Sequence, residues 1–127
     1  MKKEIISTKK APGAVGPYSQ AVKVGNLLFT SGQVPINPEN GELVTGDVAA
    51  AAERVMQSLK AILEEAGTDF SKVVKTTVLL SDINDFGKVN EVYGKYFPSE
   101  QPARSCFQVG KLPLGALLEI EVIAIVE

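Results

Sequence analysis

Arg104, Cys106 and Gln108 stand two apart in the chain, and so do Glu119 and Glu121 a little further on. In extended backbone, residues two apart share a face, so each set would line one side of a strand. A guanidinium offers two parallel donors that match a planar carboxylate. A carboxylate beside a water can orient it and accept its proton. The same residues also read as ordinary surface charges on an antiparallel sheet. Cys106 reads as a small buried hydrophobe. A nucleophilic role would require Arg104, two residues away, to lower its pKa, whereas its backbone N–H is free to hold a water or a substrate atom.

Three further segments could face a ligand. The run Gly16-Pro17-Tyr18-Ser19-Gln20 presents an aromatic on a loop, where Tyr18 either closes over a ligand or packs at a loop–strand junction. Thr30-Ser31-Gly32-Gln33 ends a strand with small residues, which permits close backbone approach at Ser31 and Gly32. Asn90 lies beside an inner-face valine, where its amide meets the sheet or caps a loop. The chain has no histidine and a single cysteine. That excludes Ser–His and Cys–His pairs, an imidazole base, a histidine metal ligand and a cysteine-built zinc site. No Walker-type loop is present, because Gly110-Lys111 is followed by Leu112. Catalysis would have to use carboxylates, Arg, Lys, Tyr, Cys, backbone groups and water.

The elements that must position these groups follow from pattern. Ala21–Val24 and Leu27–Ser31 read as a hairpin around Gly25-Asn26, and residues 35–46, rich in Pro, Asn and Gly, as a loop. Asp47 is placed to cap a helix that runs to about Ala66 before Gly67. Its apolar stripe is Val48, Ala51, Val55, Leu59, Ile62 and Ala66. Val73–Leu80 is β-branched and reads as a strand. Asp82 and Asn84 offer caps for a second helix with Phe86, Val89, Tyr93 and Tyr96 or Phe97 inward. Ala103–Val109 and Leu118–Val126 complete the order β-β-α-β-α-β-β, with an extra strand possible at Glu4–Ile6. Right-handed crossovers that progress one way across the sheet put both helices on one face. The other face, carrying Glu119, Glu121, Ile123 and Ile125, is too apolar at its end for bulk water, so a homo-oligomer is expected to cover it.

At 127 residues the chain supports one domain, 1–127, with 45% hydrophobic and 22% charged residues. Lys and Arg total 13 against 15 Asp and Glu, which gives no electrostatic footprint for nucleic acid or an anionic membrane. No stretch reaches the roughly 20 apolar residues needed to span a bilayer, and the N-terminus lacks an apolar signal core. With one cysteine and no internal disulfide, a cytoplasmic location is expected.

Taken in order, the segments carry a resemblance. They are Ala11-Pro12, Val15-Gly16-Pro17-Tyr18-Ser19-Gln20, Thr30-Ser31-Gly32-Gln33-Val34-Pro35, Val74-Lys75-Thr76-Thr77-Val78 and Asn84-Asp85-Phe86. Then come Val89-Asn90-Glu91-Val92-Tyr93, Pro102-Ala103-Arg104-Ser105-Cys106, Leu112-Pro113 and Leu118-Glu119-Ile120-Glu121-Val122-Ile123-Ala124. The chain resembles the reactive intermediate deaminase (Rid, or YjgF) family in its RidA branch, over nearly its whole length. The resemblance implies a chorismate-mutase-like α+β fold, a homotrimer with active sites between subunits, and hydrolysis of 2-imino acids such as 2-aminoacrylate and 2-aminocrotonate tautomers to 2-keto acids and ammonia. It implies that Arg104 clamps the substrate carboxylate, that Glu119 and the Cys106 backbone hold the attacking water, and that Tyr18, Ser31, Gly32 and Asn90 line the pocket. No metal or organic cofactor is required by that chemistry. Some members carry ribonuclease or translation-inhibitor labels, and a non-catalytic keto-acid-binding trimer is a further alternative. Where many members read Val-Glu-Val-Ala-Arg after the cysteine, this chain has Phe107-Gln108-Val109-Gly110-Lys111, so a neutral amide is expected on the Arg104 face.

Overall fold

Gly25, at a φ of 60°, reverses the chain between two short strands, β2 (Ala21–Val24) and β3 (Leu27–Thr30). A preceding strand, β1 (Lys3–Ile6), pairs antiparallel with β2, so the optional N-terminal strand is present. The computed structural model describes residues 1–127. The remaining elements are α1 (Val48–Glu65), β4 (Val73–Leu80), α2 (Phe86–Tyr96), β5 (Ala103–Gln108) and β6 (Leu118–Ile125). They form one six-stranded sheet in the order β1-β2-β3-β6-β4-β5. β6 runs antiparallel to both β3 and β4, and β5 is parallel to β4 at the edge. The connection through α1 crosses over β6 and the one through α2 moves on in the same direction, so both helices pack on one face.

Asp47 caps α1 by accepting hydrogen bonds from the backbone of Ala49 and Ala50. At the other end Gly67, at a φ of 83°, lets Thr68 N–H reach back to the Leu63 carbonyl. The stripe Val48, Ala51, Val55, Leu59 and Ile62 is buried, joined by Met56 and Leu63. It meets Leu118, Ile120, Val122 and Ala124 of β6 and Val78 and Leu80 of β4 in one core. Each Val, Leu, Ile or Met among them contributes roughly 1.5–3 kcal/mol when fully buried. No helix is long and apolar enough to cross a membrane.

The second helix starts differently from the sequence expectation. Asp82 caps a short 3-10 turn, Ile83–Asp85, by accepting from Asn84 N–H. The helix proper begins at Phe86 without a side-chain cap, and Asn84 caps nothing. It is anchored by packing and by a buried hydrogen bond between Tyr93 and Thr76 of β4, 2.8 Å.

The open face carries Ile5, Val22, Phe29 and Ile123 in one row across four adjacent strands. Phe29 is 42% exposed, and Phe107 of β5 is 49% exposed.

Candidate functional site

Glu119 sits on the open face of β6, in register with Leu79. An isolated bridge between Gln33 and Ile120, with reciprocal backbone bonds of 2.9 and 3.1 Å, pins the end of β3 beside this point. Ser31 and Gly32 are thereby brought against the glutamate. Ser31 donates its hydroxyl to the Ser19 carbonyl and its N–H to the Gln20 carbonyl, which ties the Tyr18 loop to the strand end. Tyr18, Ser31, Gly32 and Glu119 all line one cavity of about 860 Å³, with Val15 and Leu114 at its apolar side. Burial pushes the Glu119 carboxyl above its usual range, and nearby Glu121 adds to the effect. A raised pKa makes this carboxylate a stronger base than an ordinary glutamate.

Gln20, which the sequence places in the Tyr18 run without a role of its own, shapes this wall. Its side chain is 5% exposed. It accepts from Thr8 N–H at 2.7 Å and donates to the carbonyls of Thr8, Ala11 and Pro12, so residues 8–12 are stitched to the start of β2. A lone polar residue at a strand start carries no signal of this in the sequence.

Arg104, Cys106 and Asn90 form a second group. β5 pairs with β4 so that Arg104 faces Thr76 and Cys106 faces Val78, which puts both on the helix side of the sheet. Arg104 donates from Nη1 to Asn90 Oδ1 at 2.7 Å. Its guanidinium lies over the rings of Phe86 and Tyr93, 5.3 and 4.9 Å from their centroids. The chain's ion pairs, Lys60–Glu64 and Lys72–Glu127, do not involve it, so its fork has no carboxylate partner. Phe86 and Tyr93 read in the sequence only as inward-facing helix residues. Their spacing of seven, two helical turns, matches a single aromatic face, but nothing local shows that an arginine of a later strand would lie on it.

Within one chain, Arg104 and Glu119 are therefore not neighbours: they project from opposite faces of the sheet. Cys106 lies on the same strand as Arg104, two residues further on. Burial raises its pKa and Arg104 opposes this only in part, so its thiol is held protonated at neutral pH rather than activated. Gln108 lies on the Arg104 face, four residues further along β5. Its Oε1 accepts from Ile83 N–H at 2.9 Å, holding the turn that leads into α2. No group of three or more Asp, Glu, Cys or His residues is clustered as a metal site would need.

A two-layer α+β domain with a half-buried carboxylate in one cavity and an aromatic-backed guanidinium on its other face describes a class of small-molecule binding or hydrolytic protein. The chain belongs to the Rid (YjgF) family: residues 8–126 match the family model described as Endoribonuclease L-PSP. It is 54% identical to the human 2-iminobutanoate/2-iminopropanoate deaminase over 97% of this chain and 90% of that one. Among solved structures, YyfA of Yersinia pestis, described as a Rid-family protein of unknown function, superposes with a TM-score of 0.96 at 48% identity, covering 98% of this chain and 100% of that one. Escherichia coli TdcF, solved with bound serine, gives a TM-score of 0.93 at 44% identity over 98% of this chain and 99% of that one. The fold is accordingly the chorismate-mutase-like α+β arrangement that the sequence resemblance implied.

Proposed function

We propose that this chain is an enamine/imine deaminase that hydrolyses 2-imino acids to 2-keto acids and ammonia, in sites completed between the subunits of a homotrimer. The observation that carries the reading is the split itself. One half is a proton-accepting carboxylate in a cavity, the other a flat, backed guanidinium with no carboxylate of its own. Each lacks what the other has. The open face, with its row of Ile5, Val22, Phe29 and Ile123, is the surface that assembly would cover. The name of the human relative supports the substrate class.

In the mechanism, Arg104 of one subunit receives the substrate carboxylate on its fork, with Asn90 and the two rings fixing its plane. Tyr18, Ser31 and Gly32 of the neighbour line the opposite wall. Glu119 orients a water, with the Cys106 backbone N–H helping to hold it, and takes one proton as the oxygen attacks the imine carbon. The imine nitrogen gains a proton and a tetrahedral carbinolamine forms. The amino nitrogen then takes a further proton as the hydroxyl gives one up, with Glu119 relaying it; the C–N bond breaks, the carbonyl forms, and ammonia departs from the 2-keto acid. Imines are electrophilic without activation, so orientation and proton handling are the main contributions. RNA cleavage, which the family model's description names, finds little to use here: the chain has no histidine and a formal net charge of −2.

The test is a coupled assay in which a pyridoxal-phosphate-dependent serine or threonine dehydratase generates the imine. Keto-acid release should accelerate when this protein is added. Binding of 2-ketobutyrate with no acceleration over buffer would make it a keto-acid-binding protein instead, and cleavage of single-stranded RNA by the pure protein would support the other activity.

A further inference from the structure

Eleven glycines occur in the chain, and several are needed for their backbone conformation, at positive φ. Gly32 is not one of these. What it provides is space. A Cβ at position 32 would lie 2.6 Å from Cδ and 2.9 Å from Cγ of Glu119, and closer still to Oε2. At no other glycine would an added Cβ come within 3.0 Å of another atom. The backbone has no freedom to back away, because the reciprocal bonds between Gln33 and Ile120 lock the next residue to β6, beside Glu119 itself. Of the two parties, the tip of the glutamate side chain is the one able to move.

We infer that Gly32 is a positioning residue for Glu119: its missing side chain is the slot that seats the carboxylate against the strand end and keeps it in the cavity. A methyl group there displaces the carboxylate outward, toward solvent. The fold survives, since only a flexible side chain is moved. The carboxylate loses both its place beside the water and the burial that raises its pKa. This inference rests on the reading of Glu119 as the group that takes the proton from water.

A double-mutant cycle tests it: Gly32→Ala, Glu119→Ala and the pair, each assayed for imine hydrolysis and thermal unfolding in the intact oligomer. Gly32→Ala is expected to lower kcat by on the order of 10²-fold, a loss that about 1 Å of misplacement can cause, and to move the acid limb of the pH profile to lower pH. In the Glu119→Ala background the same change should alter the rate by less than about threefold, because there is no carboxylate left to displace. If Gly32→Ala melts early, the pair should recover the melting temperature. Wild-type turnover by Gly32→Ala, an equal loss in both backgrounds, or a pair that fails to recover stability would overturn the inference. Wild-type turnover by Glu119→Ala would instead overturn the assignment of Glu119.

Discussion

The Arg104 group and the Glu119 group are built by opposite means. Arg104 stands on an edge strand, exposed within the chain, and owes its orientation to side chains: an amide acceptor and two aromatic rings from α2. Glu119 stands on β6, inside the sheet, and owes its place to backbone: a bridge, a strand end and a glycine. A group that must grip a ligand's charge tolerates a side-chain mount, because its own charge does the work. A group that must meet a water at one distance needs the stiffer backbone mount. On the proposed roles, binding and proton transfer should fail separately, and mutation tests that division.

The largest effect is expected from Glu119→Gln, which keeps shape but cannot take a proton. Turnover should fall by about 10²–10⁴-fold, while calorimetric binding of 2-ketobutyrate stays close to wild type. The wild-type rate should decline with acid as the carboxylate protonates, and that limb should lie above the ordinary glutamate range because the folded pKa is raised. The limb should be absent from Glu119→Gln. Normal turnover by this variant would remove Glu119 from the mechanism.

Arg104→Ala should reverse the pattern and lose keto-acid binding. Removing one partner of a closed charge pair costs about 2–5 kcal/mol. At about 1.4 kcal/mol per decade that is about 30-fold to a few thousandfold in kcat/KM. Arg104→Lys keeps the charge without the fork and should fall between. Retained keto-acid affinity in Arg104→Ala would refute the clamp.

Mixing these two weak variants under conditions that let subunits exchange gives a sharper test of the division. A site that takes Glu119 from the Arg104→Ala chain and Arg104 from the Glu119→Gln chain has both groups intact. Activity should therefore rise well above that of either parent, and no rise after verified exchange would confine each site to one chain.

Smaller still is the expected effect of Phe86→Ala. Losing one ring beneath the guanidinium removes about 0.5–2 kcal/mol, or about 2- to 30-fold in keto-acid affinity. The loss should appear in KM rather than kcat and be restored by Phe86→Tyr. Cys106→Ser should change turnover least, by under about threefold, because a thiol held protonated by burial is a poor nucleophile. A loss near a thousandfold in a folded Cys106→Ser protein would reopen a thiolate mechanism.

Local chemistry made much of this protein legible from its residues. Asp47 and Gly67 bound α1, its apolar stripe named the buried helix face, and the alternation in Leu118–Ile125 separated core from open face. Hydrogen bonding and period decide these features over a few residues, so pattern suffices. The start of α2 is not legible in the sequence, because Asp82 satisfies a 3-10 turn rather than the helix, and that turn docks against Gln108. The types of the site residues were also in the sequence, but their grouping was not. Arg104 and Glu119 fall on opposite faces because β5 and β6 both pair with β4 in registers that offset them. Sheet order, the Gln33–Ile120 bridge and the aromatic bed under Arg104 join residues tens of positions apart, and only tertiary packing chooses among the registers that would satisfy each strand alone.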